Sequence, residues 1–600
     1  MCGVFAGTGI SRSSAAACLA ALAHRGPDDE GLREEGSVIL GHRRLAIIDP
    51  DARSRQPMVS VSGKTRITFN GEIYNYRALR EGLVREGARF STESDTEVLL
   101  EGYERHGAAY FDRLRGMWAF VIHDRTRGVL VAARDPFGIK PLYYSTVRGA
   151  VAFASELRAL ARAYPLAPDP RGYPAFYNLG YFIAPDTPFK DTYKLIPGEV
   201  CVWDLAERTM TSAHRVPRVV PDAVLGNADL EEALTQSVDA HYVADVPVSI
   251  LLSGGTDSSL IAALSKKLGR RPTAYHVAVA GSRDTEYATA IAKRLDLPLV
   301  VATLDDVALT RQYEKLADIL DEPTADVSLI PTSLVFERIK GEAKVVLSGE
   351  GGDELFGGYL RHALLARHRK VAKQSFATSA LGSLYGTSPA ALAYMNPLLG
   401  RVTEALLRAG MPDDLAGAYL RSARLADYPL YDREARARLV ALYRSDAGAG
   451  VPPALAFDLL AYLPNDLLPK SDIASMASSI EARVPFVDRW LLAAALRAHA
   501  EGRPPVGDKA LLKEVLARYL PADLVYREKG GFGIPLHAYD LPAFAADFDA
   551  ACRFHLANRE AFAVNDQLAA LIGEPSLRAL IRRKFPRFAF ALVTNWRVCE

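Results

Sequence analysis

Residues 248–259 read VSILLSGGTDSS, and this stretch decides the fold. Residues 248–252 form a short β-rich apolar run, Ser253-Gly254-Gly255 stops it, and a helix-compatible run, SSLIAAL, follows from Ser258. The order predicts a buried strand, a tight glycine turn and a helix start. Two glycines let the backbone approach a ligand closely, while the first-turn amides of a helix lack internal partners and carry partial positive charge. Such a turn favours phosphate. A plain glycine turn between strand and helix is the ordinary alternative.

The order SGGxDSS asks more of its residues than a plain turn does. It adds hydroxyls at Ser253, Ser258 and Ser259 to the amides, and Asp257 supplies a carboxylate able to hold Mg2+ against phosphates. No lysine-bearing phosphate loop competes with it, because Gly63-Lys64-Thr65 has Met58 where that motif needs its first glycine. The stretch resembles the pyrophosphate loop of enzymes that cleave ATP between the α and β phosphates. That resemblance implies transfer of AMP to a substrate oxygen.

Around this loop, helix and strand patterns alternate: helix 230–243, strands 246–252 and 273–280, helix 286–295, strand 299–303 and a short buried strand 344–347. The alternation predicts a parallel, doubly wound sheet whose ligands lie beyond the carboxyl ends of its strands. Ser348-Gly349-Glu350-Gly351-Gly352-Asp353-Glu354 falls at the same edge, so this second turn can face the first across one pocket. There Asp353 is a candidate second metal carboxylate and Glu350 a general base for attacking ammonia. A solvated turn or helix cap is the alternative for any one of these acids. Residues 362–462 are helix-compatible, rich in Ala, Leu and Arg, and carry little recognisable chemistry.

The chain begins Met1-Cys2-Gly3. Removal of the initiator methionine would leave Cys2 with a thiol and an α-amine of pKa about 7.7 to 8.0. That amine can act as base for its own nucleophile. A buried small hydrophobe opening a strand is the alternative. Polar clusters then follow beside the strand-like runs 45–48 and 67–69, and their residue types suit glutamine. An arginine can fork onto an α-carboxylate, acids can hold an α-ammonium, and an asparagine amide with a glycine backbone amide can receive an oxyanion.

Taken in order, Cys2, HRGPD (24–28), GHRRL (41–45), NGEIYN (70–75) and SDTEVLL (94–100) resemble the glutaminase domain of glutamine-hydrolysing asparagine synthetases. That domain is an N-terminal nucleophile fold, two stacked sheets between helices. The likeness continues through RGMWAF (115–120), ARDPFGIKPLYY (133–144) and FASEL (153–157), with LIPGEV (195–200) as its closing strand. It implies that Cys2 is the nucleophile, Asn70 and Gly71 form the oxyanion site, and Arg44, Glu72 and Asp95 grip glutamine. Arg44 is chosen over Arg43 because it immediately precedes the leucine.

SGGTDSS and SGEGGDELFGGY resemble the synthetase domain of the same family, as do DTEYA (284–288), DEPTAD (321–326), SIEARVPFVD (479–488) and REKGGFG (527–533). This likeness implies a nucleotide set of Leu252, Ser253, Gly254, Gly255, Asp257, Ser258, Ser259, Val277, Ser348 and Gly349. It makes Lys529 the cation on pyrophosphate and acyl-adenylate. Lys470, Asp472 and Arg483 read as charged networks between helices. Thr256, Trp118 and Val327 depart from the family's usual residues. The expected plan is an α+β (αββα) glutaminase over residues 1–210, a linker over 211–228, and an α/β synthetase domain of ATP-pyrophosphatase type with a parallel sheet over 229–600.

Composition narrows the function classes. At 49% hydrophobic, 24% charged and a net charge of +1, the 600 residues suit a globular core and give no sign of a polyanionic partner. Five scattered cysteines without a CxxC pair indicate neither a disulfide frame nor a zinc site. No apolar run reaches about 18 residues, so a cytoplasmic protein with no membrane or nucleic-acid partner is expected. Family likeness suggests a homodimer. The expected chemistry is hydrolysis of glutamine and ATP-dependent, Mg2+-assisted adenylation and amidation of a carboxylic acid, with aspartate as default. The alternatives are another small acid of specialised metabolism, an internal amide closure without ammonia, and a non-catalytic scaffold.

Overall fold

The computed structural model describes residues 2–147, 149–220, 229–279, 282–359, 361–362, 453–500, 508–527, 534 and 536–599. Lys529, residues 221–228 of the expected linker and most of residues 362–462 lie outside these described residues.

Strict alternation of side chains builds the first unit. In the strand Gly3–Thr8, Val4 and Ala6 face one way and Phe5 the other. Val4 and Ala6 meet Leu40, Val121, Leu130 and Phe153 between two six-stranded sheets. Phe5 instead joins Cys18, Leu19 and Leu160 beneath the helices Arg12–Ala21 and Leu157–Ala163. Across the sandwich, Ala119 and Val121 of the strand Gly116–Asp124 point inward, while Trp118, Phe120 and Ile122 pack on Val98 and Leu99 of the helix Asp95–His106. The result is four layers, helix, sheet, sheet, helix, with both sheets antiparallel.

Two expectations in this unit are corrected. Residues 45–48 form no strand, because the strand Val38–Arg44 ends before them and their backbone turns to other partners. Ala46 N donates to Asp28 Oδ2 at 2.8 Å, and Ile47 O accepts from Asp245 N at 3.0 Å. LIPGEV is not the closing strand, since only its last two residues enter the strand Glu199–Asp204. That strand is followed by Thr209–Arg215, which pairs with it antiparallel across a bulge at Val200/Cys201 and carries the sheet beyond residue 210.

The second unit is organised by a five-stranded parallel sheet in the order Leu299–Leu304, Ala274–Val279, Val248–Leu251, Val345–Leu347, Glu481–Arg483. Strand order reverses between Val248–Leu251 and Val345–Leu347. A doubly wound sheet binds ligands in the crevice at such a reversal. Both glycine turns leave the sheet there, the first into the helix Thr256–Lys267 and the second into Gly352–Phe356. The helix expected over 230–243 runs Leu230–Ala240.

Polar groups join the units. Arg115 Nε lies 2.7 Å from Asp488 Oδ2, Tyr143 donates to Glu322 at 2.9 Å, and the backbone N–H of Leu157 donates to Asp321 at 2.7 Å.

Candidate active sites

The first site opens at the strand Gly3–Thr8, whose neighbour Cys2 lines a small pocket open to solvent. Arg44, Phe69, Gly71, Glu72 and Asp95 share that lining. The Cys2 nitrogen, which becomes the α-amine once Met1 is removed, donates to Asn70 Oδ1 at 2.9 Å. Asn70 is fully buried, and its Nδ2 has no hydrogen-bond partner among the described residues. Asn70 itself is not among the residues that line the pocket, so its unpaired amide could serve only an oxygen that reaches it past them. Gly71 is required beside it, because a Cβ there would sit 2.1 Å from Met117 O. Burial pushes the Cys2 thiol above its usual pKa, so the thiol waits protonated.

The grip on a ligand is prepared by the surrounding loop. Arg44 donates to Asp51 O at 2.9 Å and Asp49 O at 2.6 Å, which fixes its guanidinium at the pocket wall. Arg43 goes elsewhere, to Glu30 and Leu19 O. Asp95 opens the helix Asp95–His106 and accepts from Ile73 N at 2.9 Å; burial pushes its carboxyl up to about 6. Glu72 is also raised, by burial first and then by Glu481 and Asp95, and its Oε2 has no hydrogen-bond partner among the described residues. Two buried acids with so little compensation suit a cationic ligand group.

The second site lies at the sheet's reversal. Gly254 has φ +77°, and a Cβ there would come 2.9 Å from Ala288 N. The hydroxyls partly shape the turn itself: Ser259 Oγ donates to Gly255 O at 2.6 Å, and Ser253 N donates to Ser258 Oγ at 3.1 Å. Leu252 is buried, its N–H donating to Tyr275 O at 2.8 Å, and Val277 is buried on the next strand. The two turns abut. A Cβ on Gly349 would lie 3.1 Å from Asp257 Cβ, and one on Gly352 would lie 2.6 Å from Asp257 Cγ. Asp257 and Asp353 therefore converge, and both contact Lys509 Nζ, Asp353 Oδ1 at 2.9 Å. Two carboxylates meeting at one point fit a cation that completes its shell with phosphate and water oxygens.

Glu350 stands beside them. Its Oε2 accepts from Ser348 Oγ at 2.7 Å and Ser471 Oγ at 3.0 Å, and its Oε1 lies 3.3 Å from Lys470 Nζ. Next to it Glu354 accepts from Tyr359 at 2.5 Å, and burial, then Asp353, push its carboxyl up to about 8. Asp458, on a π-helical segment Asp458–Leu467, ties this region together by pairing with Arg361 at 2.8 Å and His362 at 2.5 Å.

Residues 1–214 match the model of the glutamine amidotransferase domain, and residues 229–586 match that of asparagine synthase. The chain belongs to the asparagine synthase family. An asparagine synthetase [glutamine-hydrolyzing] 1 of Bacillus subtilis is 30% identical over 540 residues, spanning 86% of this chain and 83% of that protein. A putative asparagine synthetase of Mycobacterium bovis is 32% identical over 86% of this chain and 83% of its own length. Asparagine synthetase B of Escherichia coli is 28% identical over 85% and 77%.

Sequence reasoning missed three features of this asparagine synthase family member. Lys509 carries no motif; it precedes the helix Ala510–Leu516 and reaches the acids only because Gly358 lacks a side chain, since a Cβ there would lie 2.1 Å from Lys509 Cε. Arg527, at the head of REKGGFG, donates through Nε to Gly254 O at 3.0 Å and its guanidinium also pairs with Asp284 at 2.9 Å. Arg483, expected to link helices, instead sends its guanidinium from the synthetase sheet to within 3.7 Å of Glu72 in the Cys2 pocket.

Proposed function

We propose that this protein is a glutamine-dependent, ATP-consuming amide synthetase whose acceptor is aspartate and whose product is asparagine. The observation that carries the reading is the abutment of the two glycine turns, which brings Asp257 and Asp353 together beside Glu350 in a chain that also presents Cys2 in a pocket of Arg44, Glu72 and Asp95.

At the first site the α-amine of Cys2, held on Asn70 Oδ1, takes the thiol proton. Sulfur adds to the side-chain carboxamide carbon of glutamine while Asn70 Nδ2 and the Gly71 N–H receive the oxyanion. Ammonia leaves, and water hydrolyses the thioester to glutamate. Arg44 binds the substrate α-carboxylate, and Glu72 and Asp95 bind its α-ammonium.

At the second site the amides of the first turn cradle ATP, with Leu252 and Val277 beside the base. A carboxylate oxygen of the acceptor displaces pyrophosphate from the α-phosphorus, giving an acyl-adenylate. Asp257 and Asp353 would hold Mg2+, which when bound neutralises phosphate charge. Ammonia then adds to the acyl carbon, Glu350 takes the proton it sheds, and AMP leaves.

All five cysteines are free, four of them buried, which supports a reducing cytoplasmic compartment where ATP and glutamine are at hand. Among the described residues no helix is long and apolar enough to cross a membrane. The test is product analysis with purified protein, ATP, Mg2+, glutamine and a panel of small acids. Glutamate, AMP, pyrophosphate and asparagine in equal amounts from aspartate support the reading; an amide from another acid alone moves the acceptor, and no pyrophosphate with any acid rejects it.

A further inference from the structure

The HRGPD motif holds an arginine that the chemistry above leaves unused. Arg25 is fully buried. Its Nε donates to Cys2 O at 3.1 Å, Nη1 donates at 2.8 Å to Glu156 Oε1 and at 2.8 Å to Asp472 Oδ2, and Nη2 donates at 3.2 Å to Asp472 Oδ1. Four of the five N–H groups of this guanidinium are therefore directed, one at the main chain of the nucleophile, one at Glu156 and two at a carboxylate of the other unit.

Asp472 lies in the helix Leu468–Met476. Its two predecessors hold Glu350, Ser471 through Oγ at 3.0 Å and Lys470 through Nζ at 3.3 Å. Three consecutive buried residues thus touch both chemistries, Asp472 facing Arg25 and Cys2, Ser471 and Lys470 facing the adenylation site. A further bond pins the end of this segment, Ser479 Oγ to His24 O at 2.6 Å.

A buried ion pair is a poor source of net stability, because desolvation offsets most of the Coulomb gain. What a bidentate arginine–carboxylate pair gives is fixed relative orientation. Here the orientation it fixes is that of Cys2, whose carbonyl is one bond from the carbon bearing the thiol side chain. We propose that Asp472 is a positioning residue for glutamine cleavage: through Arg25 it sets the main chain of Cys2 against the helix that carries the Glu350 contacts. Nitrogen release is then tuned by a residue of the synthetase unit. This inference rests on the reading of Cys2 as nucleophile and of Glu350 as a group of the second site.

The experiment uses the full chain with Asp472→Asn, which keeps shape but loses one acceptor, and Asp472→Ala. The rate constant for alkylation of Cys2 by a chloroketone analogue of glutamine is read by mass spectrometry, alongside glutamine kcat and KM and amide formation from ammonium chloride. Displacement of a reacting group by an ångström costs up to about a hundredfold, so alkylation and kcat should fall about tenfold in Asn and further in Ala. Glutamine KM should hold, because Arg44, Glu72 and Asp95 are untouched, and ammonium-supported synthesis should hold because Ser471 and Lys470 stay on Glu350. Unchanged alkylation overturns the proposal, and so does an equal loss of both activities with a lowered Tm, which marks a merely structural pair. Should the native protein form no amide from either nitrogen source, the proposed function falls while the alkylation rates still decide the role of Asp472.

Discussion

The two sites hold their acids in opposite ways. In the Cys2 pocket, Glu72 and Asp95 are buried with little to balance them; Arg483 stands 3.7 Å from Glu72 and is also shared with Glu481. At the sheet reversal, Asp257 and Asp353 share the Lys509 ammonium, and Glu350 has Lys470 and two hydroxyls. The difference suits what each site would receive under the proposed function. A pocket for an α-ammonium gains by keeping acids uncompensated until the ligand supplies the counter-charge, whereas a pocket for a polyphosphate would repel its ligand if its acids stood unbalanced.

The sharpest way to separate the sites is to remove the thiol. Cys2→Ala should lower glutamine-dependent synthesis by at least about 10⁴-fold, the scale on which nucleophile deletions act, and leave ammonium-supported synthesis intact. Parallel assays with the two nitrogen donors check it; loss of both would mean that the sites are not separate. Lys509→Met strikes the other side of the comparison. It leaves Asp257 and Asp353 facing each other without their shared cation, and breaking a buried pair in this way costs about 3–5 kcal/mol. Calorimetry should show the loss, with part of it recovered when Mg2+ and ATP bind the folded form. A variant as stable as the native protein would show that Lys509 does not balance these acids. Asn70→Ala removes the side-chain amide proposed to receive the oxyanion and should lower kcat on glutamine about 10²- to 10³-fold. Stopped assays of glutamate release measure it, and a change confined to KM would reassign Asn70 to binding.

What the sequence made legible was whatever is written locally. SGGTDSS and SGEGGDE announce strand, turn and helix within a dozen residues, and the parallel sheet followed from alternation. Cys2, NGE and SDTE could be read because each motif is contiguous. The pairings that set the sites were not legible: Lys509 meets Asp257 across 252 positions, and Arg25 meets Asp472 across 447. No periodicity records such a contact, since it is made by tertiary packing of elements that are each locally satisfied. The run 45–48 misled for the same reason, being apolar enough for a strand while its backbone bonds go to Asp28 and Asp245.

The mildest test bears on stability. The Asp95 carboxyl titrates near 6 in the fold against an ordinary value of 3.8, because burial disfavours its charge. Between those values the folded protein holds more protons at this site than the unfolded chain, so stability falls as pH rises through the window. Below about pH 3.8 the penalty is absent, and above about pH 6 it is complete. Asp95→Asn keeps an oxygen for the Ile73 N–H but carries no charge. It should therefore be more stable than the native protein at pH 8, by on the order of 1–3 kcal/mol, with the gain fading towards pH 4. The same variant should bind glutamine about ten- to a hundredfold more weakly at pH 8, having lost a charged acceptor for the α-ammonium. In the native protein, glutamine KM should climb as pH drops below about 6, when Asp95 takes up its proton. Thermal melts and KM measured across pH 4–8 check both signs. If the asparagine variant is no more stable at pH 8, then some group already balances Asp95, and the contrast between an uncompensated and a compensated site fails at its first member.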